Sequence, residues 1–239
     1  MKMIPNKPKP RYDGVVLQGE LEVFEKLSKA FSHAGNDYIA FHSITLPKHP
    51  KKRWSESDFV IVCPSGIFTL EVKGGDLKVD ENSDWYSLKI GKTDRPIENP
   101  WEQSHGAMQA LYNDLIDNEI LKKSDRISMG FGVVFPHTPF TVKGEEWDPK
   151  TFCDRREFNN FDEFLKKLFL YFFKKRNNNE MLSSQQIKDI ASYIRPHFEL
   201  LESISSKISR ISNELVVCTN DQYKFIDVMT SNERILCSG

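Results

Sequence analysis

The chain has 239 residues, enough for one full hydrophobic core and part of a second domain. Charged residues make up 28% and aromatics 12%, which excludes a disordered or fibrous chain; no apolar run nears the roughly 20 residues of a membrane span, and no signal peptide precedes Met1-Lys-Met-Ile-Pro5. With 33 basic against 34 acidic residues the formal net charge is −1, which argues against a constitutive, tight nucleic-acid binder but leaves room for a local basic groove. The four cysteines, Cys63, Cys153, Cys218 and Cys237, are scattered without a C-x-x-C pair and read as reduced thiols of a cytoplasmic protein.

Residues 1–18 begin with three prolines and several lysines and are expected to form an extended, poorly ordered lead-in. Leu21, Phe24, Leu27 and Phe31 recur at helical spacing through 19–33, with Gly35-Asn36 as the stop. Tyr38-Ile-Ala-Phe-His-Ser-Ile44 reads as the first strand. Asp58-Phe-Val-Ile-Val-Cys-Pro-Ser-Gly-Ile-Phe-Thr-Leu-Glu-Val-Lys73 then reads as a hairpin, two β-rich runs around Pro64-Ser-Gly66.

Alternation along a strand puts Glu71 and Lys73 on one face. Closure around Pro64–Ile67 predicts Asp58 opposite Lys73 and diagonal to Glu71, on that same face, with neighbours roughly 5 to 7 Å apart. Carboxylates converging so closely repel unless a cation lies between them, and hard oxygens with room for water suit Mg²⁺ or Mn²⁺. Glu56 shares the face of Asp58. Lys48, Lys51, Lys52 and Arg53 form the densest basic run, just upstream, and are candidates for phosphate contact.

Trp85-Tyr-Ser-Leu-Lys-Ile90 is a further short strand. Asn99 reads as an N-cap with Pro100 at the first helical position, opening a helix to about Asp117. Phe131-Gly-Val-Val-Phe135 is a core strand stopped by Pro136. A helix over 161–173 carries more apolar residues than one face needs, which leaves room for a docked domain or a second copy. Ser183 or Ser184 caps another helix reaching about Arg195. Trp85 and Trp101 fit packing better than base stacking. The six histidines lack the spacing of a zinc peptidase, and Ser65 lacks the flanks of a nucleophile elbow.

The Asp58…Glu71-x-Lys73 arrangement resembles the core of the PD-(D/E)XK, restriction-endonuclease-like nucleases. Gly19-Glu20, Pro64-Ser-Gly-Ile-Phe68, Glu71-Val-Lys-Gly-Gly75 and Asn99-Pro-Trp-Glu-Gln103 occur in the order of the nuclease-related domain, NERD, a branch of that superfamily. The similarity runs from about Gly19 to Phe135. It implies an α/β fold with a restriction-endonuclease-like core, a central mixed β-sheet flanked by helices in the order α-β-β-β-α-β, with extra C-terminal helices. It implies a metal-dependent nuclease acting on DNA, RNA being open. Asp58, Glu71 and the backbone carbonyl of Val72 would bind Mg²⁺ or Mn²⁺. Lys73 would orient water or face the phosphate, and Glu20 and Gln103 would complete the catalytic set.

The tail is similar to the entry of UvrD-like superfamily-one helicases. Asn220-Asp-Gln222 precedes a helical pattern of Tyr223, Ile226 and Met229, then Arg234-Ile-Leu-Cys-Ser-Gly239 reads as a strand. Gln222 stands where a nucleotide-binding Q-motif glutamine would, but no G-x-x-x-x-G-K-S/T follows, so ATP could serve only a longer protein. The expected organisation is a lead-in over 1–18, the NERD domain over 19–175, a helical linker over 176–212 and the start of a truncated helicase domain over 213–239. A nuclease–helicase of this kind implies bacterial DNA processing or anti-phage defence. The alternative from another class is a noncatalytic docking module that tethers a helicase to nucleic acid or protein.

Overall fold

The computed structural model describes residues 1–10, 14–32, 35–46, 55–88, 93–142, 147–175, 180–197 and 204–231. They form two compact units, Met1–Pro196 and His197–Gly239. The first is an α/β fold with a restriction-endonuclease-like core. Its six-stranded mixed sheet has the order β1(Lys2–Ile4), β2(Ile39–Leu46), β3(Ser55–Cys63), β4(Gly66–Val72), β8(Met129–Val134), β9(Phe152–Cys153). β1, β2 and the pairs among β4, β8 and β9 run parallel, while β2–β3 and β3–β4 are antiparallel.

The central strands are apolar on both faces because helices cover both. On one face α1(Gln18–Lys29) contributes Val23, Phe24 and Leu27, and α3(Phe161–Lys175) contributes Phe164, Leu165, Leu168 and Phe172. On the other, α2(Pro100–Asp117) lays Ala107, Leu111 and Leu115 over Val60, Val62 and Ile67, joined by Ile187 and Ile190 of α4(Ser184–Ile194). Between β4 and α2 the chain makes a small antiparallel sheet, β5(Asp76–Val79), β6(Trp85–Leu88) and β7(Arg95–Ile97). Trp85 pins it to Trp101, Phe135 and Phe152.

Several expectations are corrected. The start of the chain is not a loose lead-in: Lys2–Ile4 is an edge strand on β2, with Met1 and Met3 buried in the core. The first helix ends at Lys29, and Phe31 takes a left-handed φ of 51° instead of extending it. The hairpin closes two residues tighter than predicted. Cys63 pairs with Gly66 around Pro64-Ser65, and the ladder runs out through Phe59 opposite Leu70. Gly66 is needed there: its φ is 134°, and a Cβ would lie 2.1 Å from the Ser128 carbonyl oxygen.

Residues 180–196 pack into the first unit through α4, whose Ser183 and Gln186 form a capping box. In the second unit one helix, α5(Ile204–Ser231), runs straight through Asn220-Asp-Gln222. Gln222 therefore lies inside a helix, exposed, rather than before one. The expected strand at 234–239 lies outside the described residues. No described helix is long and apolar enough to cross a membrane.

Candidate active site

The site forms where the β3–β4 ladder ends. One step beyond the Phe59–Leu70 pair, Asp58 comes opposite Glu71, not Lys73, and Lys73 follows two residues on along the same face. The Lys73 N–H donates to the Val134 carbonyl at 2.9 Å, tying it to β8. Backbone groups alternate along a strand, so Val72 turns its N–H and carbonyl to the other edge, toward β3. There its N–H donates to Asp58 Oδ2 at 2.7 Å. The strand therefore brings the Val72 carbonyl to the side on which Asp58 stands.

Two helices complete the cluster. Asn99 Oδ1 accepts the Trp101 N–H at 3.0 Å and Pro100 occupies the first turn, so α2 starts where the sequence predicts. Thr69 Oγ1 donates to the Ser104 carbonyl at 2.8 Å, and Ser104 Oγ donates to the Gly132 carbonyl at 3.0 Å, which locks that turn onto β4 and β8. Gln103 is thereby held so that its Oε1 accepts from the Lys73 ammonium at 2.9 Å, while the same Nζ donates to Glu71 Oε1 at 2.6 Å. From the opposite face α1 brings in Glu20, which is only 4% exposed. The helix approaches closely because Gly19 presents no side chain: a Cβ there would meet Pro136 at 3.2 Å and the Gly74 Cα at 3.5 Å. Gly75, at φ 82°, turns the chain away just past the site. A hollow of about 260 Å³ beside it is bordered by Glu20, Val72, Gly74 and His137 among others.

Asp58 is 8% exposed and Glu71 2%. Burial pushes the Asp58 carboxyl well above the usual range, and the charges of Glu71 and then Glu20 push it further, against Lys73 and the Val72 N–H. Burial likewise raises Glu71, with Lys73 as its main offset. Among the described residues, Glu20, Asp58 and Glu71 thus act on one another electrostatically beside the Lys73 ammonium.

Among the described residues no group of three or more His, Cys, Asp and Glu side chains forms a ready metal cage. The donors present are two carboxylates and a backbone carbonyl. Such a hard-oxygen set fits a divalent cation that keeps several waters.

The structure brings together Asp58, Glu71, Lys73 and Gln103, with Glu20 in electrostatic reach. Glu56 is exposed and accepts from Ser43 Oγ instead. Lys48, Lys51, Lys52 and Arg53 lie outside the described residues. Gln222 belongs to the second unit. Trp85 and Trp101 are core residues, the latter donating its indole N–H to Thr151 Oγ1 at 3.0 Å. Two residues were not singled out from the sequence: Ser104, the anchor beside Gln103, and His42, fully buried on β2 with Nε2 3.4 Å from Glu20 Oε2. The only sequence signal for His42 is a polar ring within the apolar run Ile39–Leu46.

Residues 16–136 match the model of the nuclease-related domain family, just over half of the 239 residues. The chain belongs to that family. The matched span runs from the approach to α1 to the end of β8, and so contains Glu20, Asp58, Glu71, Lys73 and Gln103. No curated protein and no solved structure matches the chain. Family membership makes this a nuclease-related domain and implies contact with nucleic acid.

Proposed function

We propose that the chain is a divalent-metal-dependent nuclease that hydrolyses DNA phosphodiester bonds. What supports the reading is the Lys73 ammonium, bonded at once to Glu71 and Gln103 where Asp58 faces Glu71. Chance ion pairs on exposed strands do not bury their carboxylates or recruit an amide from a second element.

Asp58 and Glu71 would hold Mg²⁺ or Mn²⁺, with the Val72 carbonyl as a third oxygen. A bound ion of that kind supplies an activated water, neutralises the phosphate and stabilises the leaving oxygen. The protein does the rest. Lys73, a donor already, orients the attacking water and faces the charge that develops on the phosphate. Gln103 fixes the ammonium by its amide oxygen, so that Nζ does not collapse wholly onto Glu71. Glu20 adds negative charge beside Asp58, which strengthens the hold on a cation. Lys48, Lys51, Lys52 and Arg53 would contact phosphates away from the cut. The same reading makes the protein cytoplasmic and allows a homo-oligomer.

The tail carries a second, separate proposal: that a helicase motor follows in a longer chain, with Gln222 at its nucleotide site and ATP as its fuel, serving DNA processing or anti-phage defence. The supporting feature is the similarity of residues 220–239 to a helicase entry. Sequencing the reading frame onward tests it, because a phosphate-binding loop G-x-x-x-x-G-K-S/T must appear within a few residues.

Cleavage of supercoiled plasmid and labelled single-stranded DNA with Mn²⁺ or Mg²⁺ tests the nuclease. Wild type is expected to cut and EDTA to abolish cutting. Lys73→Ala and Asp58→Ala are each expected to lose about 10²-fold or more. Equal cutting by both variants would place the site elsewhere. No cutting together with no metal binding would favour the docking module.

A further inference from the structure

His42 is a fully buried histidine whose two nitrogens face different parts of the protein. Its Nδ1 accepts the Lys9 backbone N–H at 3.0 Å. An accepting Nδ1 leaves the ring's proton on Nε2. That nitrogen lies 3.4 Å from Glu20 Oε2, close enough for an electrostatic contact but with its N–H off the line of a hydrogen bond, and has no hydrogen-bond partner among the described residues. The ring cannot swing elsewhere. Phe24 meets it edge-on at 5.6 Å and Phe59 lies against it at 4.8 Å. Glu20 and Phe24 are one helical turn apart, so α1 presents both to the same imidazole. Phe59 is next in the chain to Asp58, and Arg195 holds the backbone beneath by donating to the carbonyls of His42, Ser43 and Ile4 at 3.0 to 3.2 Å.

A residue that only filled this space would be apolar, since a buried ring with an incompletely bonded N–H is costly beside a hydrophobic side chain of similar volume. The polar edge instead lies beside the carboxylate that α1 contributes to the acidic cluster. We propose that His42 is a positioning residue, whose Nε2–H holds the Glu20 carboxylate toward Asp58 and Glu71 and thereby tunes the cation affinity of the site. The role rests on the nuclease reading above. It also makes the segment around Lys9 part of the site's support, because the Lys9 N–H selects the tautomer.

Three variants separate positioning from packing: His42→Phe, which keeps the volume; His42→Gln, which keeps a donor near the position of Nε2; and Glu20→Gln. With His42→Phe, Tm is expected to hold or rise, while Mn²⁺ affinity by calorimetry and kcat each fall about ten- to a hundredfold with KM unchanged, the usual scale for a group that orients a ligand. His42→Gln is expected to recover most of that loss, and His42→Phe to add nothing in the Glu20→Gln background. Nitrogen NMR of the ring is expected to show a bare Nδ1 and a protonated Nε2 whose shift moves on Glu20→Gln.

Wild-type affinity and rate in His42→Phe, losses that track Tm with no recovery in His42→Gln, or full additivity with Glu20→Gln would each overturn the role. A wild type that neither cuts nor binds Mn²⁺ would defeat the nuclease reading itself. The ring spectrum then decides the remaining question, since an Nε2 shift indifferent to Glu20→Gln shows that His42 does not hold that carboxylate.

Discussion

Asp58 is where burial and charge conflict most openly. Its carboxyl is enclosed, faces Glu71 and feels Glu20, and so holds its proton well above the ordinary range. The folded state then binds protons that the unfolded chain has already lost. Stability therefore falls as pH rises from the ordinary carboxylate range near 4 through the raised values. Asp154 acts the other way: the Arg156 guanidinium and backbone N–H groups hold its carboxyl low, against burial, and its contribution is lost only in acid.

Thermal melts of the metal-free protein from pH 5 to 8 are expected to show Tm declining, with a shallower decline in Asp58→Asn. At neutral pH that variant is expected to melt higher than wild type, by about 2–4 °C for each kcal/mol relieved. Mn²⁺ should raise the wild-type Tm and leave the variant's unmoved, since only the folded site binds. A variant that melts lower without metal, or still responds to Mn²⁺, would contradict this account of the cluster. That Asp58, Glu71 and Lys73 share a face was legible from strand alternation, whereas Glu20 and Gln103 entered only through the family resemblance. His42 was not legible, because nothing local distinguishes a histidine beside a carboxylate from one that fills a core.

At the level of elements the hairpin is the instructive case. The sequence predicts Asp58 opposite Lys73, whereas the register of the ladder, continued one step past its last pair Phe59–Leu70, sets it opposite Glu71. The error of two residues arises from Pro64-Ser65 serving alone as the turn. An error of two preserves the face, whereas a slip of one would have sent Glu71 and Lys73 away from α2. The set of facing residues therefore survived while the pairing did not. Gly66→Ala is expected to be strongly destabilising, with loss of cooperative melting or of soluble protein, because backbone oxygen of Ser128 cannot move aside as a side chain can. Ser104→Ala is expected to cost about 1 kcal/mol and to lower activity beyond that, by loosening the turn that carries Gln103. A variant with lowered Tm and unchanged kcat would show that Gln103 does not depend on this anchor. The caps of α2 and α4 were readable from Asn99-Pro100 and Ser183. Strand β1 was not, since three residues paired to a distant strand leave no periodicity to read.

For the whole molecule, the candidate site lies entirely within Met1–Pro196. A fragment ending at Pro196 is expected to keep the circular dichroism of the sheet, a cooperative melt and the Mn²⁺ response. A fragment that unfolds would show that the second unit supports the first. The layered architecture could be anticipated because helical and strand periodicities alternate along the first 175 residues. The tail could not: residues 204–231 contain neither Pro nor Gly, so α5 runs through the stretch where sequence motifs suggested a boundary.

The central claim is that Asp58 and Glu71 form a cation site, and diffraction from crystals grown with Mn²⁺ tests it most directly. The account predicts an anomalous peak about 2.1 Å from carboxylate oxygens of both residues, with the Val72 carbonyl in the same shell. No peak there, with Lys73 still spanning Glu71 and Gln103 at saturating Mn²⁺, would contradict it.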